Sequence, residues 1–220
     1  MNTQVLNTIE AVKFHLRSDL HVVRKLWHMG TGLIGLYLYK VSGLDAISMS
    51  YLLFAIAAFG FIIDMTRLKY PPINKIVMVV MGPFMRESER TSFSGFPFYA
   101  LGVSLSLFLF PEKLAILSIL FLVFSDPVSS YFGILYGKDK ILPNKSLQGT
   151  VAGYLCCYLV TLIYGMIFAE PTIQLLLFAI FGGLIGALSE LLSQVVDDNL
   201  TIPVVSGAGL TFLNLFIPLF

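Results

Sequence analysis

Apolar residues run in seven long stretches along the chain, roughly over 27–40, 45–63, 94–110, 114–136, 150–168, 172–195 and 204–220. Several reach about 20 residues, the length at which a helix crosses ~30 Å of hydrocarbon. The pattern predicts an all-α, polytopic membrane helix bundle with about seven transmembrane helices. The first and third stretches are short for a full crossing and fit tilted or partly re-entrant helices. Residues 73–85 form a further apolar piece that is too short to span, which predicts an interfacial or half-buried helix. Ahead of the first stretch, Val5, Ile9, Val12 and Leu16 recur at helical spacing, so residues 1–23 read as an amphipathic leader. No removable signal sequence is evident there. Residues 24–220 read as a single membrane domain.

Composition strengthens this picture. The 220 residues are 57% hydrophobic and only 12% charged. A water-soluble domain of this size needs a far more polar surface, so lipid must cover much of this one. Net charge is +1 and says little, but its placement says more. Lys13, Arg17, Arg24 and Lys25 precede the first stretch. Arg67, Lys69, Lys75, Arg86 and Arg90 follow the second, and Lys138, Lys140 and Lys145 follow the fourth. The opposite connections hold only Lys40 and Lys113, so 12 of the 14 basic residues fall on one side. The positive-inside rule makes that side cytoplasmic, with the N-terminus there. Nothing in this distribution points to nucleic acid. Cys156 and Cys157 are adjacent in an apolar span, without metal-ligand spacing, and read as small helix residues.

Ionisable groups inside apolar spans are costly and point to function. Asp126 lies in Ser125-Asp126-Pro127, where the proline removes an amide donor and predicts a break in the helix. Asp126, Ser129, Ser130, Gly133 and Gly137 then fall on one small, polar helical face, suited to a cavity. Glu190, Gln194, Asp197 and Asp198 share a face if the sixth helix continues that far, and Pro203 marks the start of the last span. Together Asp126, Glu190, Asp197 and Asp198 can supply oxygen ligands to Mg²⁺, which commonly takes one or two carboxylates plus substrate phosphates. Arg24 and His28 lie one turn apart at the start of the first span. The connection from Gly137 to Thr150 is rich in glycine, lysine and hydroxyls and leads into a helix, an arrangement that can cradle phosphate. It is not a Walker A loop, because the spacing and the Ser/Thr after lysine are missing. Gly149/Gly153 and Gly182/Gly186 read as seams for close helix packing.

These motifs resemble a known group. Ser125-Asp126-Pro127, Tyr131-Phe132-Gly133 and Gly137-Lys138, followed by Lys145-Ser146, Gly149-Thr150 and Gly153, look like the nucleotide-site core of CTP-using lipid enzymes. These are the phosphatidate cytidylyltransferases and the CTP-dependent lipid kinases that act on dolichol, phytol or diacylglycerol. Glu190 followed by Asp197-Asp198-Asn199 and Pro203 is similar to the kinase branch, as are Arg24-Lys25 with His28, and Glu89-Arg90 before Ser94-Gly95. The chain differs in having Gln148 where glutamate is common. It also lacks the C-terminal motif of the transferases.

The resemblance implies transfer of the γ-phosphoryl group of CTP to the hydroxyl of a membrane lipid alcohol at the cytoplasmic face. It implies that Asp126, Glu190, Asp197 and Asp198 are catalytic and hold Mg²⁺. Arg24, His28, Ser129, Gly133, Gly137, Lys138, Lys145, Ser146, Gly149, Thr150 and Asn199 would contact the nucleotide and its phosphates. The expected partners are CTP, a lipid alcohol and the bilayer; an oligomer is possible but is not readable. Two alternatives stay open: a cytidylyltransferase making a CDP-lipid, and a small proton- or cation-coupled transporter using Asp126 and Glu190.

Overall fold

The protein's computed structural model describes Leu20 and residues 22–170, 172–194 and 196–220. The expected leader therefore lies outside the described residues, apart from Leu20, Val22 and Val23. The described helices are α1 (Val22–Ser42), α2 (Ala46–Lys69), α3 (Pro71–Met81), α4 (Gly95–Leu109), α5 (Glu112–Tyr136), α6 (Leu147–Phe168), α7 (Ile173–Leu192) and α8 (Asp198–Phe216). Two 3₁₀ turns, Gly82–Phe84 and Glu87–Arg90, lead from α3 to α4. A small antiparallel hairpin, β1 (Lys140–Leu142) and β2 (Lys145–Ser146), joins α5 to α6 through the expected turn at Pro143 and Asn144.

Helices α2, α5, α6, α7 and α8 are long and apolar enough to cross a membrane. The chain is an all-α membrane protein. At 15 residues α4 is about 22 Å long, as its short apolar stretch foretold. Helix α1 begins before its apolar stretch and runs for 21 residues, so its first turns carry Arg24, Lys25 and His28.

Local chemistry sets several boundaries. Asp45 caps α2 by accepting from the Ser48 amide at 3.4 Å, and Pro71 and Pro72 open α3, where missing amides do no harm. Ser146 caps α6 by accepting from the Gly149 amide at 3.2 Å. Asp197 caps α8 in the same way.

Two expectations are corrected. Pro127 does not break its helix, because α5 continues through it to Tyr136. Tight packing on neighbouring helices offsets the lost bond. The last helix starts at Asp198 rather than at Pro203, which is a buried residue inside α8. Pro203 leaves the Asn199 carbonyl without its helical amide, and that carbonyl is pressed against Gly102 of α4.

Helix α5 is the axis of the bundle. Leu117, Phe121, Leu122 and Val123 are fully buried, and the helix packs on α1, α4, α6, α7 and α8. Cys157 joins this core while Cys156 is half-buried, and both are free thiols that pack as apolar residues. The outer helices turn apolar faces outward. Leu155, Leu159, Ile163 and Met166 on α6, and Leu184, Leu188 and Leu192 on α7, are exposed at three- to four-residue intervals. Such faces suit contact with lipid.

Close approaches depend on glycine at a few points. A methyl at Gly102 would overlap the Asn199 carbonyl and meet Leu200 Cα and Pro203 Cγ at 3.0 Å. Gly102→Ala is therefore expected to destabilise the bundle by about 1–3 kcal/mol, read as a lowered thermal midpoint in detergent. Gly30→Ala, where nothing lies within 4 Å, should leave the midpoint unchanged or raise it.

Candidate active site

Antiparallel packing brings five helix ends to one end of the bundle: the start of α1, the C-terminal part of α5, the start of α6, the end of α7 and the start of α8. They enclose a pocket of about 340 Å³, inside the ~300–1,000 Å³ range of small-molecule sites. Asp126 lines it from α5, Glu190 from α7 and Asp198 from α8. Arg24 and His28, Ser129, Gly133 and Gly137, Lys145, Ser146, Gly149, Thr150 and Asn199 also line it. Lys138 and Asp197 do not.

The small residues on α5 and α6 let the two helices touch here. A Cβ at Gly149 would stand 2.7 Å from the Ser129 carbonyl and 3.1 Å from Gly133 Cα. At Gly137 it would overlap the Gly133 carbonyl and stand 2.6 Å from Ser146 Oγ. That contact places Ser146 and Thr150, at the positive end of the α6 dipole, beside the turn of Asp126.

Lys145 is the pivot of the anionic side. Its Nζ donates to Glu190 Oε1 at 2.5 Å and to Ser193 Oγ at 3.3 Å, and lies 3.6 Å from Asp198 Oδ1. Ser193 donates in turn to the Asp198 carboxylate, and Ser129 donates to Glu190 Oε1 at 3.0 Å. Burial opposes the lysine's charge, but Asp198, Glu190 and Asp126 outweigh it and hold the ammonium above its ordinary range. The hairpin is closed at its base by Gln148, whose Nε2 donates to Asp139 Oδ2 at 2.7 Å while its Oε1 accepts from the Asp139 amide at 3.3 Å. A glutamate at 148 would set one carboxylate against another, which gives the departure at this position a physical role.

A cationic wall faces these groups. Arg24 donates to the Phe84 carbonyl at 2.8 Å and pairs with Glu89 at 3.0 Å. Arg86 stands 3.9 Å from Asp198 Oδ2. Burial works against the Arg86 charge, yet Asp126, Asp198 and Glu89 hold its pKa above the usual value. His28 donates from Nε2 to the Leu122 carbonyl at 3.1 Å and meets Tyr99 edge-on. Asn199 donates to the Gly95 carbonyl at 3.2 Å.

Behind this wall lies a second network. Arg67 is fully buried. It pairs with Asp64 at 2.5 Å and donates to the carbonyls of Glu89 at 2.9 Å and Ser92 at 2.8 Å. Asp64 also accepts from the amide and hydroxyl of Ser94, at 2.7 and 2.8 Å. The segment that presents Arg86 and Glu89 is thereby clamped to α2.

The α7 helix ends at Leu192, so Glu190, Gln194, Asp197 and Asp198 do not share one helical face as expected. Glu190 and Asp198 are brought together instead across the α7–α8 connection, through Lys145 and Ser193. Gln194 is exposed. Asp197 turns away from the pocket and accepts from the Asn199 amide at 3.0 Å. Burial pushes its pKa up to about 6, against that hydrogen bond and with help from Asp198. Sequence reasoning did not place Arg86 or Lys25 at the pocket, which both line, and gave no site role to Arg67 and Asp64.

No three His, Cys, Asp or Glu side chains among the described residues stand close enough to form a metal cage. The four carboxylates do not converge, because Lys145 stands between two of them. Two polar atoms lining the pocket's residues nevertheless lack a hydrogen-bond partner among the described residues: buried Glu190 Oε2 and Thr150 Oγ1. With the Asp126 carboxylate at the same pocket, this donor set fits a Mg²⁺ that takes few protein oxygens and completes its shell with phosphate and water.

The fold thus presents a pocket with acidic and basic walls at one end of a membrane helix bundle. The cytidylyltransferase family profile matches residues 16–195. Three curated relatives are each named CTP-dependent diacylglycerol kinase 1. That of Schizosaccharomyces pombe is 37% identical over 66% of this chain and 71% of its own length. That of Saccharomyces cerevisiae is 30% identical over 90% of this chain and 74% of its own. That of Eremothecium gossypii is 29% identical over 84% and 65%. No solved structure matches. The chain belongs to the cytidylyltransferase family, in its CTP-dependent lipid kinase branch.

Proposed function

We propose that this protein transfers the γ-phosphoryl group of CTP to the hydroxyl of a membrane lipid alcohol, with diacylglycerol the first acceptor to test. The relatives' names supply the donor and the acceptor class. The observation that carries the reading is the pair of unpartnered polar atoms, Glu190 Oε2 and Thr150 Oγ1, among residues lining the same pocket as Asp126, Lys145, Arg24 and Arg86. A triphosphate brings acceptors for the cations and the hydroxyl, and a divalent ion answers the spare carboxylate oxygens.

In this reading the nucleotide enters from the cytoplasm. The basic helix ends lie at the pocket's end of the bundle, as the positive-inside rule requires of that side. Helices α1 and α4 cross with the five long ones, giving seven crossings and a cytoplasmic N-terminus. Lys145, Arg24 and Arg86 neutralise phosphate charge, and Thr150 and Ser146 with the α6 N-terminus orient it. Asp126 and Glu190, with Asp198 beside them, would hold Mg²⁺, which supplies charge neutralisation at the transferring phosphoryl. The acceptor oxygen bonds to the γ-phosphorus, the bond from that phosphorus to the β–γ bridging oxygen breaks, and CDP leaves. The hydroxyl proton passes to a carboxylate.

The test is purified protein in detergent with γ-labelled CTP, Mg²⁺ and diacylglycerol. Label should appear in lipid, and Asp126→Asn should lower the rate at least about 100-fold while the protein still folds. Unlabelled lipid from folded wild type removes the proposal. Labelling the cytosine ring instead separates a CDP-lipid product, the reading that the family profile's own description favours.

A further inference from the structure

Most residues lining the nucleotide pocket are charged or polar. Its apolar side chains are two prolines and Ile134, and no Phe, Tyr or Trp lines it. A second cavity, of about 430 Å³, lies on the other side of Arg86 and Asp198, which line both. It sits between the start of α4 and the α7–α8 connection. Phe93 and Phe98 line it from the start of α4, and Ser193, Gln194, Val196 and Asp197 from the α7–α8 connection. Phe93 and Val196 are exposed, and α4 enters the bundle two residues after Phe93.

We propose that this second cavity holds the headgroup of the acceptor, a neutral lipid bearing a free hydroxyl on a small polar head, an assignment that rests on the kinase reading above. The division of labour follows from chemistry. A lipid alcohol needs apolar surface for the first carbons of its chains and a polar end for its hydroxyl, and the residues of this cavity supply both. Asp197 reaches this cavity and not the nucleotide pocket, so its carboxylate accepts from the acceptor hydroxyl instead of facing phosphate. Arg86 and Asp198 offset each other on the cavity wall, so the Asp197 carboxylate is left to disfavour anionic headgroups. The same repulsion favours departure of the phosphorylated product. Arg86 and Asp198 form the partition across which donor and acceptor meet.

The experiment has two arms. In mixed micelles, rates are measured against diacylglycerol mole fraction at saturating CTP, then against CTP at saturating diacylglycerol. Gln194→Trp, which adds bulk at the rim, and Val196→Asp, which adds charge at an apolar lining position, should each raise the KM for diacylglycerol about tenfold with the KM for CTP within about twofold. An unchanged diacylglycerol KM in both folded variants, or an equal rise in both constants, overturns the assignment. In the second arm, a diacylglycerol carrying a diazirine near its glycerol is photolysed with wild-type protein without CTP. Adducts on residues 92–98 and 193–197 support the site even if no phosphoryl transfer is found, in which case only the kinase reading fails. Adducts confined to the outward faces of α6 and α7 overturn it even if transfer is robust.

Discussion

Lys145→Met is expected to remove activity and to destabilise the protein by about 3–5 kcal/mol, because it breaks a buried charge pair from one side. Lys145 is 8% exposed and neutralises Glu190 and Asp198 together. Methionine fills the same volume, so the loss reports charge and not a cavity. The sign of the pH dependence follows from the lysine's raised pKa. A cation whose pKa is raised by folding contributes fully below its unfolded value and loses that contribution only as pH climbs past the folded one. The thermal deficit of the variant in detergent should therefore be as large at pH 9 as at pH 7. A deficit that vanishes by pH 9, or a variant that keeps wild-type turnover, would remove Lys145 from the centre of the site. Adding Glu190→Gln to the variant should recover part of the lost stability and none of the activity.

Arg67→Met should have an effect of similar size from a position that touches no lining residue of the nucleotide pocket. The guanidinium is fully buried and makes four hydrogen bonds, to Asp64, Asn74, Glu89 and Ser92. Without it, Asp64 is a buried carboxylate whose remaining donors come from Ser94, and the expected loss is about 3–5 kcal/mol. Activity should fall further than unfolding explains, because the segment carrying Arg86 and Glu89 is no longer clamped. Asp64→Asn combined with Arg67→Met should regain stability, since no unpaired charge remains, while turnover stays low. Measured at a temperature where all variants are folded, recovered turnover in the double variant would show that the clamp does not position the site.

The features legible in the sequence were those carried by local periodicity and by charge inside apolar runs. The seven apolar stretches fall on α1, α2 and α4 to α8, and the short third one foretold the 15-residue α4. The polar face from Asp126 to Gly137 was readable because helical spacing alone fixes it. What failed was whatever depends on partners far along the chain. Arg67 sits at the end of a span, where a basic residue is ordinary, so nothing local distinguished a fully buried cation from an anchor. Its tie to Ser92 spans 25 residues. Glu190 and Asp198 meet through Lys145, from an element 45 residues away, and not by continuing one helix. Asp197 looked equivalent to Asp198 because neighbours in sequence were taken as neighbours in space. A helix start sends adjacent side chains in different directions, one to cap the helix and one to the interior.

The two prolines within helices have a consequence of their own. Pro127 leaves the Val123 carbonyl without a helical amide, and Pro203 does the same to Asn199, whose oxygen is pressed to Gly102. His28 already draws on the neighbouring Leu122 oxygen. The freed Val123 carbonyl thus adds a negative potential in the turn before Asp126, and no change of acidity can discharge it. Part of the electrostatic field beside Asp126 is permanent, built into amide geometry rather than into any group that titrates.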